Sequence, residues 1–265
     1  MAPHVRRALL WAIALGVASL GLLMQVSCGP SGGANGRDTL ARPPTFRVLV
    51  FTKHQGYYHE SIPAAVAAVR TLGAHQGFAV LATEDAGFFS DDRLRPFAAV
   101  AFLSTTGDVL SDEQKAAFQR YIRAGGGFVG IHSAMDTEHG WAWYHRLLGA
   151  DFAGHPAIQR ARLIVSSANQ TPPLPQPWER TDEWYNYTAL PESVTVSVSV
   201  DEGSYQGGTM GASHPVSWYH EFEGGRAWYT AMGHTTSSYS EELFLAHILG
   251  GILYAAGVDQ PKRSS

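Results

Sequence analysis

Gly125-Gly126-Gly127-Phe128-Val129-Gly130-Ile131-His132-Ser133 is a glycine stop, a short apolar run and an abrupt return to polar residues. Phe128 to Ile131 reads as a strand buried on both faces, the kind a parallel sheet requires. Phosphate-binding loops follow a strand and open a helix, whereas these three glycines precede a strand, so they end a helix instead. That helix is legible upstream, where Ser111 and Gln114 form a capping-box pair and Phe118, Tyr121 and Ile122 fall on one face.

The same alternation extends towards the N-terminus. Phe46 to Phe51 is a second doubly buried strand, followed by a helix on which Ile62, Val66, Val69 and Leu72 recur at helical spacing. Pro63 suits its first turn, and Gly73 and Gly77 close it. Phe78 to Ala82 and Ala98 to Leu103 complete four strands separated by helical patterns, which implies a parallel sheet with right-handed crossovers. Beyond about residue 155 the pattern turns to β-type runs, at Arg162–Val165, Val194–Val200, Pro215–Phe222 and Arg226–Thr230, expected to add antiparallel strands. A last helix from Ser240, with Phe244, Ile248, Ile252 and Ala255 in a stripe, should cover one face of the sheet. The expected class is α/β, a mostly parallel open sheet with helices on both faces and extra antiparallel strands in the C-terminal half.

Of the 265 residues, 45% are hydrophobic and 16% charged, which argues against disorder. The net charge of −4 disfavours a nucleic-acid binder that works by neutralising phosphates. Residues 1–27 run from Arg6 and Arg7 through an apolar stretch to small residues, the order of a secretory signal. The single cysteine, Cys28, follows Ser27 as in a bacterial lipobox, although Gln25 stands where Leu is usual. A lipid anchor at Cys28 in the membrane is expected, with an ordinary cleaved signal or an uncleaved anchor as the alternatives; either way the body is exported, periplasmic or membrane-tethered. Residues 28–44 read as a flexible tether, 45–257 as the folded domain and 258–265 as a disordered tail.

In an open parallel sheet, ligands bind beyond the carboxyl ends of the strands. Polar residues collect at each such end: Lys53 to His59, Glu84 and Asp85, Ser104 to Asp108, and His132, Ser133 and Asp136. A functional crevice is expected there. Gly125–Ser133 together with Ser104-Thr105-Thr106-Gly107-Asp108, Gly154-His155-Pro156, Asp182-Glu183-Trp184-Tyr185 and Gly233-His234-Thr235 resembles the ThuA-like (trehalose-utilisation) family over nearly all of residues 46–257. The resemblance implies a fold similar to class I glutamine amidotransferases, flavodoxin-like in outline, and an association with sugar metabolism. Asn169-Gln170-Thr171 departs from the His-Pro pair common in relatives.

Amidotransferases of this fold carry a cysteine nucleophile in a Gly-x-Cys-x-Gly turn. Aligned on Gly130, this chain has His132 at the cysteine position and Ala134 at the second glycine, so thiolate catalysis is excluded. Ser133 is one residue off, and the hydrolase elbow Gly-x-Ser-x-Gly is absent. The chemistry is therefore expected to be histidine-centred, with His132, His59, Asp136 and Glu183 as catalytic candidates. His54, Thr105, Thr106, Ser133, Trp141, His155, Trp184, His214 and His234 are expected to contact a small carbohydrate or sugar derivative, with Trp141 and Trp184 as stacking platforms. Backbone N–H groups of Thr105 to Gly107 would suit an anionic or carbonyl oxygen. A divalent metal such as zinc, held by His132, His155 and His234, is one reading; histidines that only hydrogen-bond a sugar or each other are the other. His75, His139, His145, His220 and His247 read as surface or packing histidines. Hydrolysis, elimination or isomerisation of a sugar stands against a non-catalytic sugar-binding module.

Overall fold

The computed structural model describes residues 43–166, 174–189 and 192–258. The expected leader, Cys28, the tether up to residue 42, Asn169-Gln170-Thr171 and the tail beyond 258 lie outside the described residues.

Four strands, β1 (Arg47–Phe51), β2 (Ala79–Thr83), β3 (Ala99–Leu103) and β4 (Gly127–Ile131), pair in parallel in the order β2-β1-β3-β4. The segments between them hold α1 (Ile62–Gln76), α2 (Asp91–Leu94) and α3 (Asp112–Arg123). The chain then runs through α4 (Ala142–Leu148), β5 (Phe152–Gly154), β6 (Gln159–Val165), β7 (Trp178–Asp182), β8 (Asn186–Tyr187), β9 (Thr195–Val200), β10 (Pro215–Phe222), β11 (Gly225–Thr230) and α5 (Glu242–Ala255). β11 returns to lie parallel to β4, and β10, β9, β6 and β7 continue the sheet antiparallel, giving nine strands in all. The expected α/β architecture with antiparallel strands added in the C-terminal half is what the chain adopts.

Local chemistry accounts for the main boundaries. Ser111 and Gln114 form the reciprocal capping box that opens α3. α1 runs through Gly73 and ends at Gly77, whose φ of +78° is the left-handed cap that favours glycine. Gly73 is small for another reason: a Cβ there would stand 2.7 Å from the Phe78 carbonyl oxygen. Glu223 and Gly224 both have positive φ, the two-residue turn that makes β10 and β11 a hairpin and so delivers β11 to the edge of β4.

Successive residues of β4 face opposite sides of the sheet. A Cβ on Gly127 would strike the Ala255 carbonyl of α5, whereas one on Gly130 would meet Leu148 of α4. Helices therefore cover both faces. On the α3–α4 side, Phe102, Phe118, Phe128 and Tyr144 form a contiguous ring cluster with centroids 5.5–6.1 Å apart. On the α5 side, His247 packs among Trp228, Trp178 and Phe244.

His247 is fully buried with Nε2 unpartnered, and burial, then the charge of Arg180, pushes its pKa from 6.5 down to about 3. In the unfolded chain the same imidazole takes up a proton near its ordinary value, so the unfolded state binds more protons as pH falls below about 6.5. Stability should therefore drop on the acid side by up to about 1.4 kcal/mol per pH unit from this group. His247→Leu is expected to remove that slope; urea melts at pH 7.5 and 5 that lose the same stability in both proteins would refute it.

Candidate functional site

The carboxyl ends of β1, β3, β4 and β11 converge, and the end of β7 joins them. His132 is the first residue after β4, with φ +53°, a left-handed conformation that costs a non-glycine residue about 1–2 kcal/mol. The elbow is held by the Tyr229 hydroxyl, which donates to the His132 carbonyl at 2.9 Å. The side chain thus points from the turn at which an amidotransferase-like fold carries its nucleophile.

His132 is fully buried, and its Nδ1 lies 2.8 Å from the Ala231 carbonyl oxygen. A carbonyl accepts only, so Nδ1 carries the proton and the neutral ring presents a bare lone pair at Nε2. Four groups crowd that atom: His234 Nδ1 at 3.0 Å, His59 Nε2 at 3.1 Å, the Tyr185 hydroxyl at 3.2 Å and Glu183 Oε2 at 3.6 Å. Burial, followed by the neighbouring imidazoles, holds His132 well below the ordinary histidine range. Burial and then His234 lower His59 to about 4. His234 moves the other way, raised chiefly by its hydrogen bond to Glu183, whose Oε2 lies 3.2 Å from Nδ1.

A second layer holds these groups. Asp182 is fully buried and accepts from the backbone N–H of Gly233 at 2.8 Å and of His234 at 3.0 Å, and its Oδ2 lies 3.2 Å from Arg180 Nη2. Arg180, itself buried, also donates to Ser238 and approaches Glu241. The β7 segment was invisible in the sequence because its inward residues include these two charges, while Glu179 and Thr181 face out. Ser133 Oγ is 3.3 Å from His59 Nδ1, and His155 Nδ1 is 3.1 Å from Glu183 Oε1.

His59, His132, Glu183 and His234 are thus brought together, with Ser133 and His155 behind them. Several expected roles are corrected. His155 stands off the imidazole cluster, against the far oxygen of Glu183 and the Pro156 carbonyl, and His59 occupies the place expected for it. Trp184 is fully buried with its indole N–H donating to Gln159, so neither face is open to a sugar. Trp141 stacks on Trp143 and Tyr144 beneath Lys115, away from the imidazoles. His214 is buried with both nitrogens engaged, by Glu202 and Tyr205 on one side and the Tyr185 carbonyl on the other. Asp136 pairs with His139 at 2.8 Å and makes no hydrogen bond to His132.

Thr105 is buried against Thr137, and Thr106 holds the loop before His59 by donating to the Tyr57 carbonyl and accepting from Gly56 N–H. Neither hydroxyl is presented to a ligand. The Gly107 N–H is spent on the Asp136 carbonyl, so the proposed anion nest is not formed through it. His54 lies half-buried beside Tyr58, its Nδ1 unpartnered. Asp85 at the end of β2 caps its own turn and pairs with Arg93. Tyr185, part of the Asp182-Glu183-Trp184-Tyr185 motif but not among the expected contacts, reaches His132 Nε2, and strand-like alternation places it with Glu183 and turns Trp184 away.

An α/β sheet protein with an imidazole cluster at the nucleophile turn is the class these features define. The trehalose-utilisation family model matches residues 47–255, and the chain belongs to this ThuA family, which carries a carbohydrate-related role at family level. A putative ThuA-like protein from Bacteroides uniformis is similar in structure, with a TM-score of 0.68 at 20% identity, covering 86% of this chain and 95% of that one. Another from Parabacteroides merdae gives 0.67 at 18% identity over 84% and 93%. A β-galactosidase from Bacillus circulans shares the fold over 83% of this chain but 32% of its own length, with a TM-score of 0.54 at 12% identity. No curated protein matches the chain.

Proposed function

We propose that this protein is exported and acts on a carbohydrate or sugar derivative, by hydrolysis, elimination or isomerisation, at the imidazole cluster around His132. The observation that carries the reading is the convergence on one lone pair, His132 Nε2, of two further imidazoles, a carboxylate and a phenol within 3.0–3.6 Å. Such a set can take and return protons at adjacent sugar atoms. The family's link to trehalose utilisation and a similar fold in a β-galactosidase support the substrate class. At the rim Tyr57 and Tyr58 are 64% and 45% exposed, and the Tyr57 ring lies 4.8 Å from that of His59. Open phenol rings suit the C–H faces of a sugar, and they replace Trp141 and Trp184 as the stacking candidates. Export and a lipid anchor at Cys28 rest on the order of residues 1–28. Among the described residues no helix is long and apolar enough to cross a membrane.

The test is a thermal-shift and product screen of mono- and disaccharides and their keto derivatives, repeated with His132→Gln. The variant is expected to lose turnover by on the order of 100-fold or more while ligand stabilisation persists. Turnover unchanged in His132→Gln would refute the role of this residue. Ligand stabilisation without turnover of any sugar would leave a binding module, and neither effect with any sugar would remove the carbohydrate reading.

A further inference from the structure

The three imidazoles have a second property, independent of what the site transforms. A lone pair accepts one proton well, yet His132 Nε2 faces four polar groups, and three ring nitrogens from three different strand ends lie within 4.8 Å of one another. A proton can serve one such contact at a time; a cation serves them together. We propose that His59 Nε2, His132 Nε2 and His234 Nδ1 hold a first-row divalent transition ion, of which zinc is the type, with the fourth position open. The proposal rests on the site placed above, not on its substrate.

The geometry supports it along the two edges that meet at His132. A cation about 2.0–2.1 Å from four tetrahedral donors spaces them roughly 3.3–3.4 Å apart. The observed spacings are 3.1 Å between His132 and His59 and 3.0 Å between His132 and His234, and the three nitrogens all lie within 4.8 Å of one another, while Glu183 Oε2 stands beside them, 3.2 Å from His234 Nδ1. Three imidazoles suit zinc and its neighbours rather than magnesium or calcium, which take oxygen donors.

The surroundings are those that orient metal ligands. His132 gives its other ring N–H to a backbone carbonyl, and His59 has Ser133 at its other nitrogen. Asp182 fixes the backbone at His234, and Arg180 fixes Asp182. The Tyr185 hydroxyl stands 3.2 Å from His132 Nε2, beside the donors, where it can hydrogen-bond an oxygen atom of a bound ligand. The metal reading of the sequence thus keeps His132 and His234 and exchanges His155 for His59.

The experiment is titration of the chelator-treated full chain with Zn2+ by calorimetry and with Co2+ by visible absorption, with no sugar present. One-to-one binding and the intense visible bands of four-coordinate Co2+ are expected. His234→Ala, at the least buried of the three imidazoles, should weaken Zn2+ binding by on the order of 100-fold or more. Far-ultraviolet circular dichroism establishes that each variant is folded, and the wild-type Co2+ spectrum stands without any variant. Absence of saturable one-to-one binding, or binding unchanged in folded His234→Ala, overturns the proposal. A chain that binds Zn2+ but transforms no sugar loses the carbohydrate reading alone, and one that transforms sugar but shows no saturable Zn2+ binding loses the centre alone.

Discussion

Asp182→Ala is expected to destabilise the protein by about 3–5 kcal/mol, a large part of a domain's net stability. The carboxylate accepts the Gly233, His234 and Glu183 backbone N–H groups, and Arg180 lies against it with its side chain 1% exposed. Removing it leaves three donors unpaired and a buried guanidinium with Glu241 as its remaining carboxylate, at 3.3 Å. Breaking one partner of a buried pair is costly because the surviving charge stays out of water. The loss also frees the backbone that carries His234, so activity should fall even below the melting range. Urea unfolding reads the first effect; a change under about 1 kcal/mol would show that Asp182 does not hold this strand end.

Trp184→Ala separates two accounts of the same residue. As a buried core side chain it should cost about 3–5 kcal/mol on truncation, through lost apolar burial and the cavity left behind. As a sugar platform it would instead weaken ligand binding with little change in stability. The structure favours the first, since both faces are packed and the indole N–H reaches the Gln159 carbonyl at 2.9 Å. Parallel unfolding and ligand-affinity measurements decide between them, and an unchanged melting temperature with lost affinity would restore the stacking role.

Periodicity made the parallel half of the sheet legible, because β1, β3 and β4 are continuous apolar runs and the helices between them carry explicit caps. β7 was not legible. Its inward positions hold Arg180 and Asp182, a pattern that looks like a polar loop until the two charges are seen to satisfy one another. α4 was hidden for a different reason: at seven residues, between Gly140 and Gly149, it is too short to show a stripe. The C-terminal runs were recognised as strands, but that β11 turns back to lie parallel to β4 depends on a two-residue hairpin and on long-range pairing.

The site divides along the same line. His132 could be placed because it follows a recognisable strand in a known turn. The convergence of His59, Glu183 and His234 on it follows from strand order across the sheet, which one-dimensional spacing does not contain. Thr105, Thr106 and His214 attracted attention as polar residues in motif-like settings, and their hydrogen bonds turn out to be internal to the scaffold.

The decisive measurement is long-range 1H–15N NMR of the imidazole rings in chelator-treated protein near neutral pH, before and after adding a sugar that stabilises the chain. A protonated Nδ1 and bare Nε2 on His132 are predicted, with the rings of His59, His132 and His234 responding together to the sugar. A His132 ring protonated at Nε2, with the other two rings indifferent to that sugar, would contradict the assignment of this cluster as the working site.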